Sequence, residues 1–239
     1  LIANGTFVLD TNSYLRMSLP NDKLVVNGAF ITRSNNTFFE YGRLVINGDF
    51  YQASPSDGSE AKTFVPSDSF ITEINGKDRY VSFENPATSH FCSIQVGSGT
   101  TFDPASVASI RRDLSADVQW GFPTLYYSGN LYGNALAAND LILTNVTLNH
   151  GTISGRNITA SGLYMNNPDD CIIASGNFTA NHNFSSNGNL TDGTLWIAGN
   201  FTQSGHASSF LATGNHTTIL NGSGAQTVTF GSISSRFAR

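Results

Sequence analysis

The chain has 239 residues, a formal net charge of -5 and only 12% charged residues, against about 25% in an ordinary soluble domain. That length can bury a real core in one large domain or two small ones. The scarcity of Lys and Arg excludes a basic surface for nucleic acid or an anionic membrane, and no apolar run approaches the roughly 18 residues of a membrane span.

The first segments, "LIANGTF", "KLVVNGAF" and "RLVINGDF", alternate apolar and polar residues and end in Asn-Gly, one residue and a phenylalanine. Phe7, Phe30 and Phe50 are therefore spaced by 23 and 20 residues. The opening carries neither the charge nor the cleavage pattern of a secretory signal. The chain starts and stops inside strand-like text, which suggests a piece of something longer. Phe38, Phe39 and Tyr41 cluster between the second and third segments. "ASPSDGSEAK" (53–62) then reads as a surface insertion.

Further along, "GSGTT" (97–101) is a Gly-rich turn without the Lys of a phosphate loop. In "TFDPASVASIRRDLSADVQW", Asp103 is a good N-cap and Pro104 a good first helical residue. Val107, Ile110 and Leu114 fall on one helical face, so a helix of about three turns is expected across the strands. Trp120, Tyr126, Tyr127 and Tyr132 follow as an aromatic cluster.

The repeat then resumes at Leu131, Ile158, Phe178 and Phe201, with spacings of 27, 20 and 23. Self-similarity at this period marks a solenoid, and alternation at two rather than three or four makes it a solenoid of strands. The predicted fold is all-β: a parallel β-helix with rungs of about 20–27 residues and one short helix packed on it. Its blocks are 1–94, a non-repeat insertion at 95–125, and 126–239, within one continuous domain.

Phe7, Phe30 and Phe50 are expected to stack inside, as are Ile158, Phe178 and Phe201. Asn157, Asn177 and Asn200 then share one turn, where Asn tolerates the left-handed conformation and bonds its own backbone. Ten Asn-x-Ser/Thr triplets are present, the others at Asn4, Asn35, Asn145, Asn183, Asn189, Asn215 and Asn221. A turn Asn followed by an inward apolar residue and an outward Thr produces such a triplet without any sugar. Cys92 and Cys171 are too few for a disulfide framework or a metal site and read as two separate buried thiols.

A longer repeat overlies the first. "LVINGDFYQ" (44–52) answers "LWIAGNFTQ" (195–203), and "FVPSDSFITEINGKDRYVSF" (64–83) answers "FLATGNHTTILNGSGAQTVTF" (210–230). The order "LTDGTLWIAGNFTQ", "FLATGNHTTILNGSGAQTVTF", "SSRF" resembles a repeat of large surface proteins of Clostridium-like Gram-positive bacteria. His216, Leu220, Asn221, Gly222, Gln226, Val228 and Phe230 stand in the places of its final rung. The first block diverges, with Phe70 where His216 stands, and residues 95–130 lie outside the resemblance. More distantly the chain is similar to the tapirins, β-helical cellulose adhesins. The resemblance implies an extracellular surface module.

Parallel β-helices also build polysaccharide lyases and glycosidases. An inverting glycosidase needs two carboxylates roughly 6.5–9.5 Å apart, and Asp169 and Asp170 with His150 are the candidates. In pectin-degrading β-helix hydrolases the paired aspartates precede the His-Gly, the reverse of the order here, so a solvated turn is the plainer reading. Arg111, Arg112 and Asp113 read as the solvated side of the expected helix, and His182, His206 and His216 are isolated. No cofactor and no metal are expected. An outward Thr row (Thr159, Thr179, Thr202) would suit ice, but is short and unevenly spaced.

The expected function is a non-catalytic, secreted cell-surface structural or adhesion module that binds an extracellular polysaccharide such as cellulose, or a cell-wall glycan. Trp120, Tyr126, Tyr127 and Tyr132 are the candidate carbohydrate-binding residues, since aromatics stack on sugar rings. The alternatives are a β-helix polysaccharide-degrading enzyme and a filament subunit that self-associates end to end.

Overall fold

In the computed structural model, residues 1–57, 63–114, 118, 120–133, 135–182, 190–205 and 209–238 are described. They form a parallel β-solenoid, and every strand pairing whose register is resolved is parallel. Two compact units are distinguished: Leu1–Arg112 with Trp120–Tyr126, and Asp113–Gln119 with Tyr127–Arg239.

In the first unit, the strands Ile2–Ala3, Lys23–Val26, Gly42–Ile46, Phe70–Ile74 and Ser93–Val96 stack into one sheet. Phe7–Leu9, Phe30–Thr32, Phe50–Gln52 and Val81–Phe83 make a second, and Leu15–Met17 and Thr37–Phe39 a third. Alternation puts one side of each strand inside. Phe7, Phe30 and Phe50 are in register, and their rings stack at 5.9 and 6.0 Å. Phe64 and Phe91 close on Phe50 edge-on and tilted, within the range where aromatic pairs add to simple burial.

The second unit repeats the plan. Asp140–Asn149, Asn157–Met165, Phe178–His182, Phe201–Gly205 and Val228–Phe230 share one sheet. Ala135–Ala137, Thr152–Gly155, Cys171–Ala174, Thr194–Ile197 and Thr217–Leu220 form the other. The inward column expected at Ile158, Phe178 and Phe201 is present, extended by the buried Leu141 before it; Val228, next in register after Phe201, is exposed. Phe178 and Phe201 stack at 6.1 Å. Leu131 does not belong to this column, because Leu141 holds the place; Leu131 bridges Leu114 instead.

The expected helix is absent: no helix occurs among the described residues. Asp103 does cap its neighbours, with Oδ1 accepting from the Ala105 N–H at 2.8 Å, but the cap opens a turn. Val107–Arg111 is a strand that buries Ala108, Ser109 and Ile110. Its backbone bonds to Phe91 on both sides, and Ile110 bridges Phe91. Extended pairing overrides the apolar spacing, in a segment rich in Val, Ser and Ile that favours helix weakly. Residues 115–117 and 119 lie outside the described residues.

Corners hold the coils together by axial hydrogen bonds. In the first unit, Asn27 donates to Asn4, Asn47 to Asn27 and Asn75 to Asn47 through their side-chain amides, at 3.0, 2.8 and 3.2 Å. In the second, each corner Asn carbonyl accepts the next backbone N–H: Asn157 from Asn177, Asn177 from Asn200, and Asn200 from Thr227. These bonds account for Asn at the turn in architectural terms. Asn183 and Asn189 lie outside the described residues.

Candidate functional site

The acidic candidates are brought together, but as a corner. Asp170 is 1% exposed, and one of its carboxylate oxygens accepts from the Asn166 and Asn167 N–H groups at 2.8 and 2.9 Å. The other accepts from the His150 N–H at 2.8 Å. Such charge-assisted bonds make Asp170 a structural cap of the "NNPDD" turn. Asp22 does the same for "SLPND", taking the Ser18 and Leu19 N–H groups at 2.9 Å each. Outside this cap, the exposed Asp169 bonds the His150 ring at 2.7 Å, which holds its carboxyl below the usual range. The arrangement leaves one solvent-facing carboxylate, not the facing pair that glycoside inversion requires.

The sulfur and imidazole groups are quiet. Cys92 and Cys171 are free; burial pushes the Cys92 thiol up to about 11, and its Sγ donates to the Pro66 carbonyl. Cys171, also raised by burial, is half-buried on an outer row rather than in the core. His216 is fully buried beneath the Asp192 carbonyl, with Nδ1 at 3.0 Å. His206 and the side chain of His182 lie outside what is described. Among the described residues, no group of three His, Cys, Asp or Glu side chains is placed to hold a metal.

The four aromatic candidates divide. Tyr127 is corrected: it is 1% exposed, with its hydroxyl donating to the Asn130 carbonyl at 3.1 Å, and an interior ring cannot stack on a sugar. Trp120 and Tyr126, of the first unit, are half-buried, and Tyr132, of the second, is exposed.

Two other outward aromatic features were missed in the sequence. In the second unit, Ala137, Ser154, Ile173, Trp196 and Ile219 form one outer row, each in register with the next. Beside it runs the row Ala135, Thr152, Cys171, Thr194 and Thr217. Among the described residues, these two rows carry no Asp, Glu, Lys or Arg, and Trp196 lies between Ile173, 41% exposed, and Ile219. The alternation of "TLWI" contained the signal: Leu195 and Ile197 face inward, so Trp196 faces out.

In the first unit, Tyr51 and Tyr80 meet on the outer face with ring centroids 5.4 Å apart and planes tilted by 49°. Asp49 lies beside the pair and accepts from the Tyr80 N–H at 3.0 Å. Burial, followed by the charge of Asp49, raises the Tyr51 phenol above its ordinary value.

The outer Thr row is longer than sequence spacing indicated. Thr159, Thr179, Thr202 and Thr229 stand in register, because the corners absorb the unequal intervals. No protein-family model, no curated protein and no solved structure matches the chain.

Proposed function

We propose that this protein is a non-catalytic adhesion module of a secreted, cell-surface protein and that it binds polysaccharide. The supporting observation is the Trp196 row. A planar indole on a flat, uncharged sheet face, flanked by aliphatic side chains and bordered by Thr hydroxyls, offers what the face of a pyranose ring requires: apolar contact at the centre and hydrogen-bonding groups at the rim. The capping role of Asp170 fits this reading, since backbone N–H groups already occupy the second carboxylate of the Asp169–Asp170 pair.

Retention on insoluble cellulose, chitin and isolated cell walls tests the proposal. The native chain is expected to be retained on at least one of them, and Trp196→Ala to lower retention at least about tenfold while leaving the circular dichroism spectrum unchanged. No retention on any glycan would sink the adhesive reading. Reducing-sugar release over the same panel is expected to stay at background, for the native chain and for Asp169→Asn alike.

A further inference from the structure

The outer face of the Phe7–Leu9, Phe30–Thr32, Phe50–Gln52, Val81–Phe83 sheet carries a second feature, in the first unit. Its outward column runs Val8, Ile31, Tyr51 and Ser82 in register. Val8 is exposed, Ile31 and Tyr51 half-buried. Successive positions are separated by the strand spacing of about 4.7–4.9 Å, so the column is an apolar track parallel to the coil axis. Tyr80 stands diagonally beside Tyr51, one coil further on, and the Asp49 carboxylate lies next to them, accepting from the Tyr80 N–H.

We infer that Tyr51 and Tyr80 form a binding site for a single neutral glycan chain lying along this track, distinct from the flat Trp196 face; the assignment rests on the polysaccharide reading above. The 5.4 Å between ring centroids is comparable to the advance per sugar in an extended, equatorially linked chain, so each tyrosine takes one pyranose. The 49° tilt prevents both rings from lying against one crystalline plane and suits consecutive sugars of a twisted, isolated chain. Asp49 sets the class of ligand. Its carboxylate beside the rings accepts sugar hydroxyls and repels uronate or phosphate groups, and the net charge of -5 acts in the same direction.

Titration of the full chain with cellohexaose and xylohexaose, with oligogalacturonate as the anionic comparison, tests the site. Saturable binding of one neutral hexasaccharide is expected, with at least tenfold weaker affinity in Tyr51→Ala and in Tyr80→Ala. Tyr80→Phe keeps the ring and is expected to retain binding, which separates stacking from loss of fold. No saturable binding of either neutral hexasaccharide overturns the site, as does oligogalacturonate binding more tightly. If retention on insoluble glycan persists meanwhile and depends on Trp196, the adhesive reading stands without this site.

Discussion

Asp170 and Asp22 show how a side chain can look catalytic and be structural. Each sits at the end of a short Pro-containing turn, and each takes two consecutive N–H groups on one oxygen. Asp170→Asn keeps the shape but turns a charged acceptor into a neutral one. It is expected to lower the unfolding free energy by about 1–3 kcal/mol, read as a lower urea midpoint. Gln52 and Gln203 are a second matched pair, each 1% exposed. The Gln52 carbonyl accepts from the Asn85 N–H, and that of Gln203 from the Ser232 N–H. Sequence could bring His150, Asp169 and Asp170 to notice. It could not show that backbone donors already occupied the buried carboxylate. For Tyr126 and Tyr127 the phase was readable, because an inward Leu125 places Tyr127 inward two residues later.

At the level of the element, the parallel coils and the two phenylalanine columns were legible because they depend on alternation and spacing alone. Phe201→Ala removes a ring that touches Phe178, Phe210, Phe230 and Phe237. A loss of about 3–5 kcal/mol is expected, measured by chemical denaturation. Gly193 shows why the corners matter. Its φ is +79°, and a Cβ there would lie 2.6 Å from the Asp170 carbonyl oxygen. Gly193→Ala is therefore expected to cost about 1–3 kcal/mol through backbone strain. The strand Val107–Arg111 was not legible. Its apolar residues satisfy a helical spacing and an alternating one, and only the pairing with Phe91 decides between them.

Over the whole molecule, acid is the predicted weakness. Burial, helped by Arg111, depresses His90 to about 4, and burial also lowers His216. Between pH 6.5 and 4 the unfolded chain binds protons at His90 that the folded chain does not. The stabilisation is complete above about 6.5 and diminishes as pH falls towards 4, by about 3 kcal/mol for His90. Glu73, lowered by its hydrogen bonds from Asn75 and Arg43, works in the same direction as pH falls through its own range. Melting temperature is thus expected to fall steeply below pH 6.5, and His90→Gln to flatten that slope. A profile that stays level down to pH 4 would contradict the burial of a neutral imidazole.

The unequal lengths of the coils have a consequence for how such a chain changes over generations. Thr159, Thr179, Thr202 and Thr229 line up although 20, 23 and 27 residues separate them, so the corners take up gains and losses of residues that the sheets never register. A residue gained or lost at a corner therefore leaves the inward rings, the corner amides and the turn caps in place, so such a chain can change length coil by coil without losing its register.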